Sequence, residues 1–187
     1  LFPYTTLFRS GTIGSGHGTA AYYGLEKEVD IQLGTLSKSL GSVGGYVAAN
    51  STIIDYLVNM SRSFIFSTAL SPADIGAALA ALHILESDTS VLGRLQENVN
   101  YMALQLIAMG IEATNETPIF PILIGSNEDT LAVSDYLYNA GIIGTAIRPP
   151  TVPVGESRIR LTVTAAHNKE QIDYVCRTLD KAIKELN

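Results

Sequence analysis

The chain has one cysteine, a deficit of positive charge and no long apolar run. Cys176 stands alone among 187 residues, so no internal disulfide can form, and a reducing compartment fits. Twelve Lys and Arg face 18 Asp and Glu, a net charge of -6 with no basic cluster, which argues against nucleic-acid binding because phosphate neutralisation needs grouped cations. No apolar stretch reaches the roughly 18 residues of a membrane span. The sequence therefore predicts a soluble, cytoplasmic protein that binds neither nucleic acid nor membrane.

The apolar content and the alternation of element types predict an α/β protein. Apolar residues make up 47% of the chain, which is enough for a substantial core, and the length suits one ordinary domain or parts of two. Residues 11–75 have the pattern of part of a larger α/β domain. Residues 76–90 are expected to form a connecting helix, and residues 91–187 a compact small α/β domain.

Hydrophobic spacing gives a set of helices and strands with recognisable ends. Ser51 and Asn168 are the predicted N-caps of two helices, and Pro72 is expected in the first turn of a third. Gly110 and Gly141 are the predicted stop signals of two more helices. The predicted strands are 30–35, 45–49, 63–68, 111–114, 119–124, 142–147 and 158–164, and the predicted helical segments are 20–25, 51–60, 72–85, 91–109, 128–140 and 169–186.

The first ten residues fit poorly with the glycine-rich loop that comes directly after them. That loop, residues 11–19, should be entered from a strand, yet no alternating strand precedes it. Residues 1–10 also lack the basic start, apolar run and cleavage site of a signal peptide. We expect residues 1–10 to be a non-native segment, such as translated adapter sequence, and the alternative is a natural terminus.

One lysine lies among glycines and hydroxyl residues. Lys38 occupies the segment G-T-L-S-K-S-L-G-S-V-G-G-Y over residues 34–46, directly after the apolar residues 29–33. Glycines let backbone and ligand approach closely, and hydroxyls offer hydrogen bonds to a bound anion. A lysine that binds a phosphate-bearing aldehyde cofactor needs these surroundings. The alternative is a glycine-rich loop with an exposed lysine, because short motifs produce false matches.

A second informative segment combines stiff prolines with two arginines. Residues 146–167 read A-I-R-P-P-T-V-P-V-G-E-S-R-I-R-L-T-V-T-A-A-H, and three prolines stiffen a loop between two predicted strands. Arg158 and Arg160 are two apart, so on one strand they point to the same face. Arginine is suited to two-pronged binding of a planar carboxylate, as an amino-acid substrate carries. The alternative is an edge strand with two solvated arginines.

The two segments, in this order, resemble the α-oxoamine synthase family of pyridoxal-phosphate (PLP) enzymes, which are class II aminotransferase-like. The matching patterns are T-x-S-K-x-x-G-x-x-G-G and A-I-R-P-P-T-V-P followed by R-x-R-L-T-x-T-A-A-H. The resemblance runs from Gly11 to the end, roughly the C-terminal half of a family member. It implies the fold type I of PLP-dependent transferases, here the end of the large domain plus the C-terminal small α/β domain.

The resemblance implies roles for four residues near the cofactor. Lys38 matches the lysine that binds PLP covalently and then moves protons at the substrate α-carbon. Thr35 matches a threonine beside the cofactor phosphate. Ser67 and Thr68 match a segment that reaches the cofactor phosphate of the neighbouring subunit, which implies a homodimer with shared active sites.

Two further residues match substrate-binding positions of the family, and a third is a weaker candidate. Arg160 matches the arginine that binds the amino-acid carboxylate. Thr151 matches a substrate-contacting threonine, and Arg148 is a weaker candidate for contacts with the acyl chain or coenzyme A. No metal site is predicted.

The implied reaction is a PLP-dependent decarboxylative condensation of an amino acid with an acyl-CoA. The proline segment is typical of members that join L-alanine to pimeloyl-CoA in biotin biosynthesis and give 8-amino-7-oxononanoate. Another member of the family, using glycine and acetyl-CoA or using serine, remains an alternative. A non-catalytic remnant with an interaction role is the alternative from a different class. The acyl carrier, coenzyme A or a carrier protein, is left open.

The sequence departs from the family pattern before the first glycine-rich loop. Family members carry a D-x-A-H strand end there, whose aspartate pairs with the pyridine nitrogen and whose histidine lies by the cofactor. Ungapped, these positions fall on Thr5 and Phe8, which can do neither. His17 lies beyond this point, and His83 and His167 are expected to be structural. We therefore expect little or no synthase activity from this chain itself, although its parent would be active.

Overall fold

The computed structural model describes residues 18–186 as two compact units. The division falls between Leu92 and Gly93. The predictions for residues 1–10, for nearly all of the loop 11–19 and for His17 lie outside the described residues.

The first unit combines a two-stranded antiparallel sheet with four helical segments. Its strands β1 and β2 pair with Gly34 opposite Tyr46 and Thr35 opposite Gly45. The elements are α1 (Thr19–Tyr22), β1 (Ile31–Thr35), β2 (Gly45–Ala49), α2 (Ser51–Met60), α3 (Arg62–Ile65) and α4 (Pro72–Ser87).

This first unit buries few side chains among its described residues. Leu40, Ser42 and Ala78 are buried, whereas Ile31 and Leu33 of β1 are 46% and 57% exposed. The sequence predicts β1 as a buried strand, and that prediction is wrong for the described part of the chain. Two strands alone cover little of each other's faces, so their apolar side chains stay accessible.

Side-chain caps fix the starts of two helices in this unit. Asn50 accepts a hydrogen bond from the Ile53 N–H at 3.0 Å, so Asn50 is the N-cap of α2 and the prediction for Ser51 is wrong by one residue. The helix that begins at Pro72 is confirmed. Its cap is Ser71, whose hydroxyl accepts from the Asp74 N–H at 3.1 Å.

The predicted strand over residues 63–68 is wrong, because α3 forms there instead. The N–H groups of Phe64, Ile65 and Phe66 donate to the carbonyls of Ser61 and Arg62 within one helical turn. A strand needs a neighbour to pair its backbone groups, whereas a helical turn satisfies them locally. The apolar pattern carried no information about which partner was within reach.

The second unit is a three-stranded antiparallel sheet packed against helices. The strand order is β3-β5-β4, so β5 is central and has both neighbours in the sheet. The elements are α5 (Ser90–Ala108), which begins just before the division, β3 (Ile119–Gly125), α6 (Asn127–Asn139), β4 (Thr145–Ile147), β5 (Ser157–Thr162) and α7 (Lys169–Lys184).

The two faces of this sheet differ in burial. Phe120 and Ile122 of β3 and Ile159 and Leu161 of β5 are almost fully buried in the core with α5, α6 and α7. The alternate residues point the other way, because successive side chains of a strand point to opposite faces. We call this second surface the open face; it carries Pro121, Leu123, Arg158, Arg160 and Thr162.

The predicted stop signals at Gly110 and Gly141 are confirmed, and they displace two predicted strand starts. Both glycines have a positive φ of 78°. The following residues, Ile111 and Ile142, donate their N–H groups back to Leu106 and Leu137, each closing the helix end. The predicted strand 111–114 is therefore wrong, and β4 begins at Thr145 rather than at Ile142.

The last helix is capped as predicted. The Asn168 side chain accepts from the Gln171 N–H at 2.8 Å, and the Gln171 side chain accepts from the Asn168 N–H at 3.0 Å. This reciprocal pair satisfies two N–H groups that the helix start leaves without partners. Cys176 lies inside the core beside Met102. Burial raises the pKa of its thiol to about 11.

Within residues 18–186, no single helix has the length and apolar composition to cross a membrane, and the bent pair α4 and α5 meets both criteria only when taken together.

Candidate active site

The loop of residues 36–44, which carries Lys38, is closed by its own backbone. The Leu36 N–H donates to the Gly44 carbonyl at 2.9 Å, and the Ser42 N–H donates to the Leu36 carbonyl at the same distance. A third bond, from the Gly41 N–H to the Lys38 carbonyl at 3.0 Å, forms the turn that comes after the lysine. Gly41 and Gly44 have φ values of 60° and 112°, which L-residues with side chains rarely adopt. The glycine spacing is thus required by the shape of the loop.

Lys38 is exposed while the residues just after it are anchored. Leu40 is buried, and the Ser42 hydroxyl donates to the Asp74 carbonyl at 2.6 Å, which fastens the loop to the start of α4. The Lys38 ammonium makes no hydrogen bond or ion pair with any residue from 18 to 186. A fixed loop with an unengaged amine is suited to binding a ligand covalently.

Thr35 organises the base of the same loop. Its hydroxyl lies 3.2 Å from the Gly44 carbonyl and 2.8 Å from the Ser37 hydroxyl, and it accepts a bond from the Ser37 N–H. The structure therefore places Thr35, Ser37 and Lys38 together at one end of the two-stranded sheet. The Thr35 hydroxyl donates to the Gly44 carbonyl and accepts from the Ser37 hydroxyl, so these hydroxyls must rotate away from each other to donate to an anionic group held beside the lysine.

Ser67 and Thr68 come after α3 in the first unit, which also contains Lys38. Both side chains are exposed, and neither forms a hydrogen bond with a described residue. They lie in a loop rather than at the end of the predicted strand. Their hydroxyls are available to an anion.

The sequence interpretation did not assign a role to Gly34 and Tyr46. The two residues face each other across β1 and β2, and a Cβ on Gly34 would overlap the Tyr46 ring. A Cβ on Gly45 would come within 2.8 Å of the Gly34 carbonyl. Two glycines of the motif therefore serve the close approach of the strands that hold the lysine loop. This role becomes visible only from the strand register, because the sequence motif does not specify which residues face each other across the two strands.

Arg160 lies on the open face of the second unit. It is exposed on the central strand β5, with Pro121 and Thr145 as its cross-strand neighbours. Its guanidinium makes no hydrogen bond or ion pair within the described chain. The rigid sheet thus presents an unengaged cation with two-pronged hydrogen-bonding capacity.

Arg158 shares this face, as predicted, but its guanidinium is occupied. Its Nε donates to the Glu156 carbonyl and its Nη2 to the Glu156 carboxylate, both at 2.9 Å. The sequence pattern predicts only that the two arginines share a face, and it does not show that one of them is already paired. Of the two, the structure leaves Arg160 available to a carboxylate ligand.

The proline-rich loop between β4 and β5 is built from two turns. The Thr151 N–H donates to the Arg148 carbonyl at 3.0 Å around a cis peptide between Pro149 and Pro150. The second turn ends at Glu156. Arg148 and Thr151 are both exposed at the first turn. The structure brings these two candidates together and puts them on the loop that leads into the arginine strand.

His167 has a structural partner. Its Nδ1 accepts from the Thr164 N–H at 3.1 Å, and the Asn98 amide donates to the carbonyls of Thr164 and His167 at 3.0 and 2.7 Å.

Two cavities of the second unit, about 720 and 490 Å³, are lined without Arg160, Thr151 or Arg148. The candidate residues instead lie on open surfaces.

A comparison with protein families matches residues 8–179 to aminotransferase class I and II. The chain belongs to this family. It is 42% identical over 179 residues to the 8-amino-7-oxononanoate synthase of Lysinibacillus sphaericus. That match covers 95% of this chain and 46% of the relative, so the chain spans about half the length of the curated relatives it matches.

Solved structures show the same relationship. A structure of serine palmitoyltransferase with PLP superposes with a TM-score of 0.91 at 27% identity, covering 97% of this chain and 46% of the other. The 8-amino-7-oxononanoate synthase of Francisella tularensis gives a TM-score of 0.81 at 26% identity, covering 95% and 54%. The resemblance and the α/β fold of PLP-dependent transferases are thus confirmed over the part of the fold that this chain spans.

Proposed function

We propose that the chain contributes the lysine loop and the carboxylate-binding strand of a PLP-dependent acyltransferase. The reaction is the decarboxylative condensation of L-alanine with pimeloyl-CoA to 8-amino-7-oxononanoate. The observation that carries the proposal is the unengaged Lys38 amine on a loop whose neighbouring residues are hydrogen-bonded and buried. The similarity to named 8-amino-7-oxononanoate synthases supports the choice of substrates.

The donor set of the lysine loop fits PLP. A primary amine pairs with the cofactor's aldehyde, and the nearby hydroxyls suit its phosphate. Lys38 would hold the aldehyde carbon, with Thr35 beside the phosphate and Ser67 and Thr68 reaching a phosphate as well. When bound, PLP supplies an electron sink for the electron pair left at the substrate α-carbon when a proton departs.

Lys38 then has a second task, which its exposure permits. A Lys38 amine not bonded to the cofactor would take up and return the proton at the substrate α-carbon. The anchored Leu40 and Ser42 limit how far the loop can move during this exchange. The position of the proton transfer is therefore set by the loop rather than by the flexible side chain alone.

Arg160 holds the amino-acid carboxylate in this proposal. Its position on the central strand of a sheet gives it a fixed backbone, and its guanidinium can grip both carboxylate oxygens. Thr151 and Arg148, at the first turn of the proline-rich loop, contact the acyl donor. The exposed Arg148 suits an anionic group of that donor, whether a carboxylate or a phosphate.

We also propose a homodimer with shared sites in the cytoplasm. Ser67 and Thr68 would serve the phosphate of the neighbouring subunit. Exposed apolar side chains in the first unit support a protein partner, because such surface is costly in water. Phe64 and Phe66, which come just before these two hydroxyl residues, are 66% and 77% exposed.

The proposed cofactor site is tested by identifying the residue to which PLP attaches. The purified chain is incubated with PLP, reduced with borohydride and mapped by peptide mass spectrometry. We expect the pyridoxyl label on Lys38, its loss in Lys38→Ala, and its retention in the control Lys27→Ala. A label spread evenly over several lysines would refute the cofactor site.

The substrate assignment has its own assay. Product formation is measured with L-alanine and pimeloyl-CoA and, separately, with glycine and acetyl-CoA. We expect little turnover by this chain, because the matching D-x-A-H positions are Thr5 and Phe8. Any turnover detected should favour the first pair, and preference for glycine and acetyl-CoA would transfer the assignment to another member of the family.

A further inference from the structure

Arg158 contacts one residue with two different atoms of its guanidinium. Nε donates to the backbone carbonyl of Glu156 and Nη2 to the carboxylate of the same residue, each at 2.9 Å. The two side chains are 28% and 53% exposed, so the contact lies at the edge of the open face. A planar fork that grips backbone and side chain together restrains both the position and the direction of Glu156.

Glu156 is the last residue of the proline-rich loop. Its N–H donates to the Pro153 carbonyl at 3.1 Å and closes a turn in which Gly155 has a φ of 84°. The next residue, Ser157, is fully buried and donates its hydroxyl to the Asn127 side chain at 2.7 Å. The end of the loop is therefore held between a buried hydrogen bond and the Arg158 contact.

Charged residues occupy every second position from the end of the loop into β5. Arg158 and Arg160 lie about 6.6 Å apart on one face of the strand. Glu156, the loop residue just before β5, contacts Arg158 at 2.9 Å. Arg160 has no ion-pair partner in the described chain. Without Arg158, the Glu156 carboxylate would lose its partner while the Arg160 guanidinium already has none among residues 18–186, and the two opposite charges would attract each other.

We propose that Arg158 is a positioning residue that fixes the proline-rich loop and keeps Glu156 away from Arg160. The inference rests on the proposed function, in which that loop carries Thr151 and Arg160 binds the substrate carboxylate. Arg158 itself contacts no substrate. An exposed ion pair adds little to the free energy of folding. We therefore expect the loss of Arg158 to change the arrangement of the loop and the availability of Arg160 more than the stability of the protein.

Two measurements on the full chain, without added ligand, test the two halves of this proposal. Hydrogen exchange of the segment 148–157 reports the loop, and the modification rate of Arg160 by phenylglyoxal, followed by peptide mass spectrometry, reports its availability. In Arg158→Ala we expect several-fold faster exchange of the loop and several-fold slower modification of Arg160. Arg158→Lys should restore part of the protection, because a lysine keeps the charge without the fork.

The double variant E156Q/R158A separates charge competition from general loosening. Removal of the Glu156 charge should return Arg160 to its original modification rate while the loop still exchanges fast. The control Arg177→Ala, an exposed arginine on α7, should change neither signal. Unchanged loop exchange in both Arg158 variants overturns the positioning role, and unchanged Arg160 reactivity, or no recovery in the double variant, overturns the second half. Neither readout uses PLP, so failure here is distinct from failure to label Lys38.

Discussion

The Asn98 amide connects helix α5 to the segment that comes after the arginine strand, and its replacement should show how firmly that segment is held. Asn98 is 8% exposed, and its NH2 group donates to the carbonyls of Thr164 and His167. Asn98→Ala removes both bonds and leaves the part-buried His167 carbonyl without a donor among residues 18–186, while the Thr164 carbonyl keeps the His167 N–H at 3.3 Å. At about 1 kcal/mol for each bond, we expect a loss of about 2 kcal/mol in the free energy of unfolding.

Asn98→Asp should be worse than Asn98→Ala, although aspartate is nearly the same shape. An ionised carboxylate is an acceptor only, so it would face two carbonyl oxygens without a donor. We expect a loss of about 3–4 kcal/mol at neutral pH, part of which is regained at low pH where the protonated carboxyl can donate one bond. The free energy of unfolding is measured by urea titration, where 2 kcal/mol corresponds to a midpoint shift of roughly 1 M.

A matched control lies two residues further along the same helix. Asn100 is exposed, and its side-chain oxygen accepts from the amides of Gln96 and Asn115. Asn100→Asp keeps that acceptor and adds the same charge, so it should change stability by less than about 0.5 kcal/mol. The reasoning is refuted if Asn98→Asp is no less stable than Asn98→Ala, or if the Asn100 control is destabilised as much.

Two further predictions concern a buried thiol and a strand glycine. Burial raises the pKa of Cys176 from 9.0 to about 11, so the folded protein should resist alkylation at pH 9 and react fully in denaturant. Stability from this group is present below pH 9 and is lost as pH rises through about 11, and Cys176→Ala should remove that part of the pH dependence. Gly34→Ala should displace the Tyr46 ring and speed hydrogen exchange over the lysine loop several-fold. In a protein that already carries Tyr46→Ala the ring is absent, so Gly34→Ala should have little further effect on that exchange. Equal effects of Gly34→Ala with and without Tyr46 would contradict the packing explanation.

The parts of the fold that the sequence predicts well are those with local causes. The cap at Asn168 and the stops at Gly110 and Gly141 depend on residues within one turn of the helix end, and all three are found in the structure. The strands predicted at 63–68 and 111–114 depend on a pairing partner that a local pattern cannot identify. The first segment overlaps a helical turn at Arg62–Ile65. The second begins with Ile111, whose N–H donates to the Leu106 carbonyl and closes the end of the preceding helix.

The arginine strand shows the same limit at the level of chemistry. A period of two places Arg158 and Arg160 on one face, and the structure agrees. The sequence does not show that Glu156 contacts one of them, because that contact depends on the turn closed by the bond from the Glu156 N–H to the Pro153 carbonyl. The sequence pattern therefore does not distinguish the two arginines, whereas in the structure Arg160 is the one of the two whose guanidinium is available to a ligand.

Each unit thus presents a candidate ligand-binding cation, unengaged within residues 18–186, on a fixed support. Lys38 lies on a loop fixed by the buried Leu40 and by the bond from Ser42 to α4, and Arg160 lies on a strand with neighbours on both sides. Precise placement of a reactive group requires its surroundings to be rigid while the group itself stays free of internal partners. An amine or guanidinium already paired within the protein would have to break that contact before it could bind a ligand. Ser42 and Gly34 therefore prepare the lysine loop, and Arg158 prepares the arginine strand; none of the three contacts substrate in this proposal.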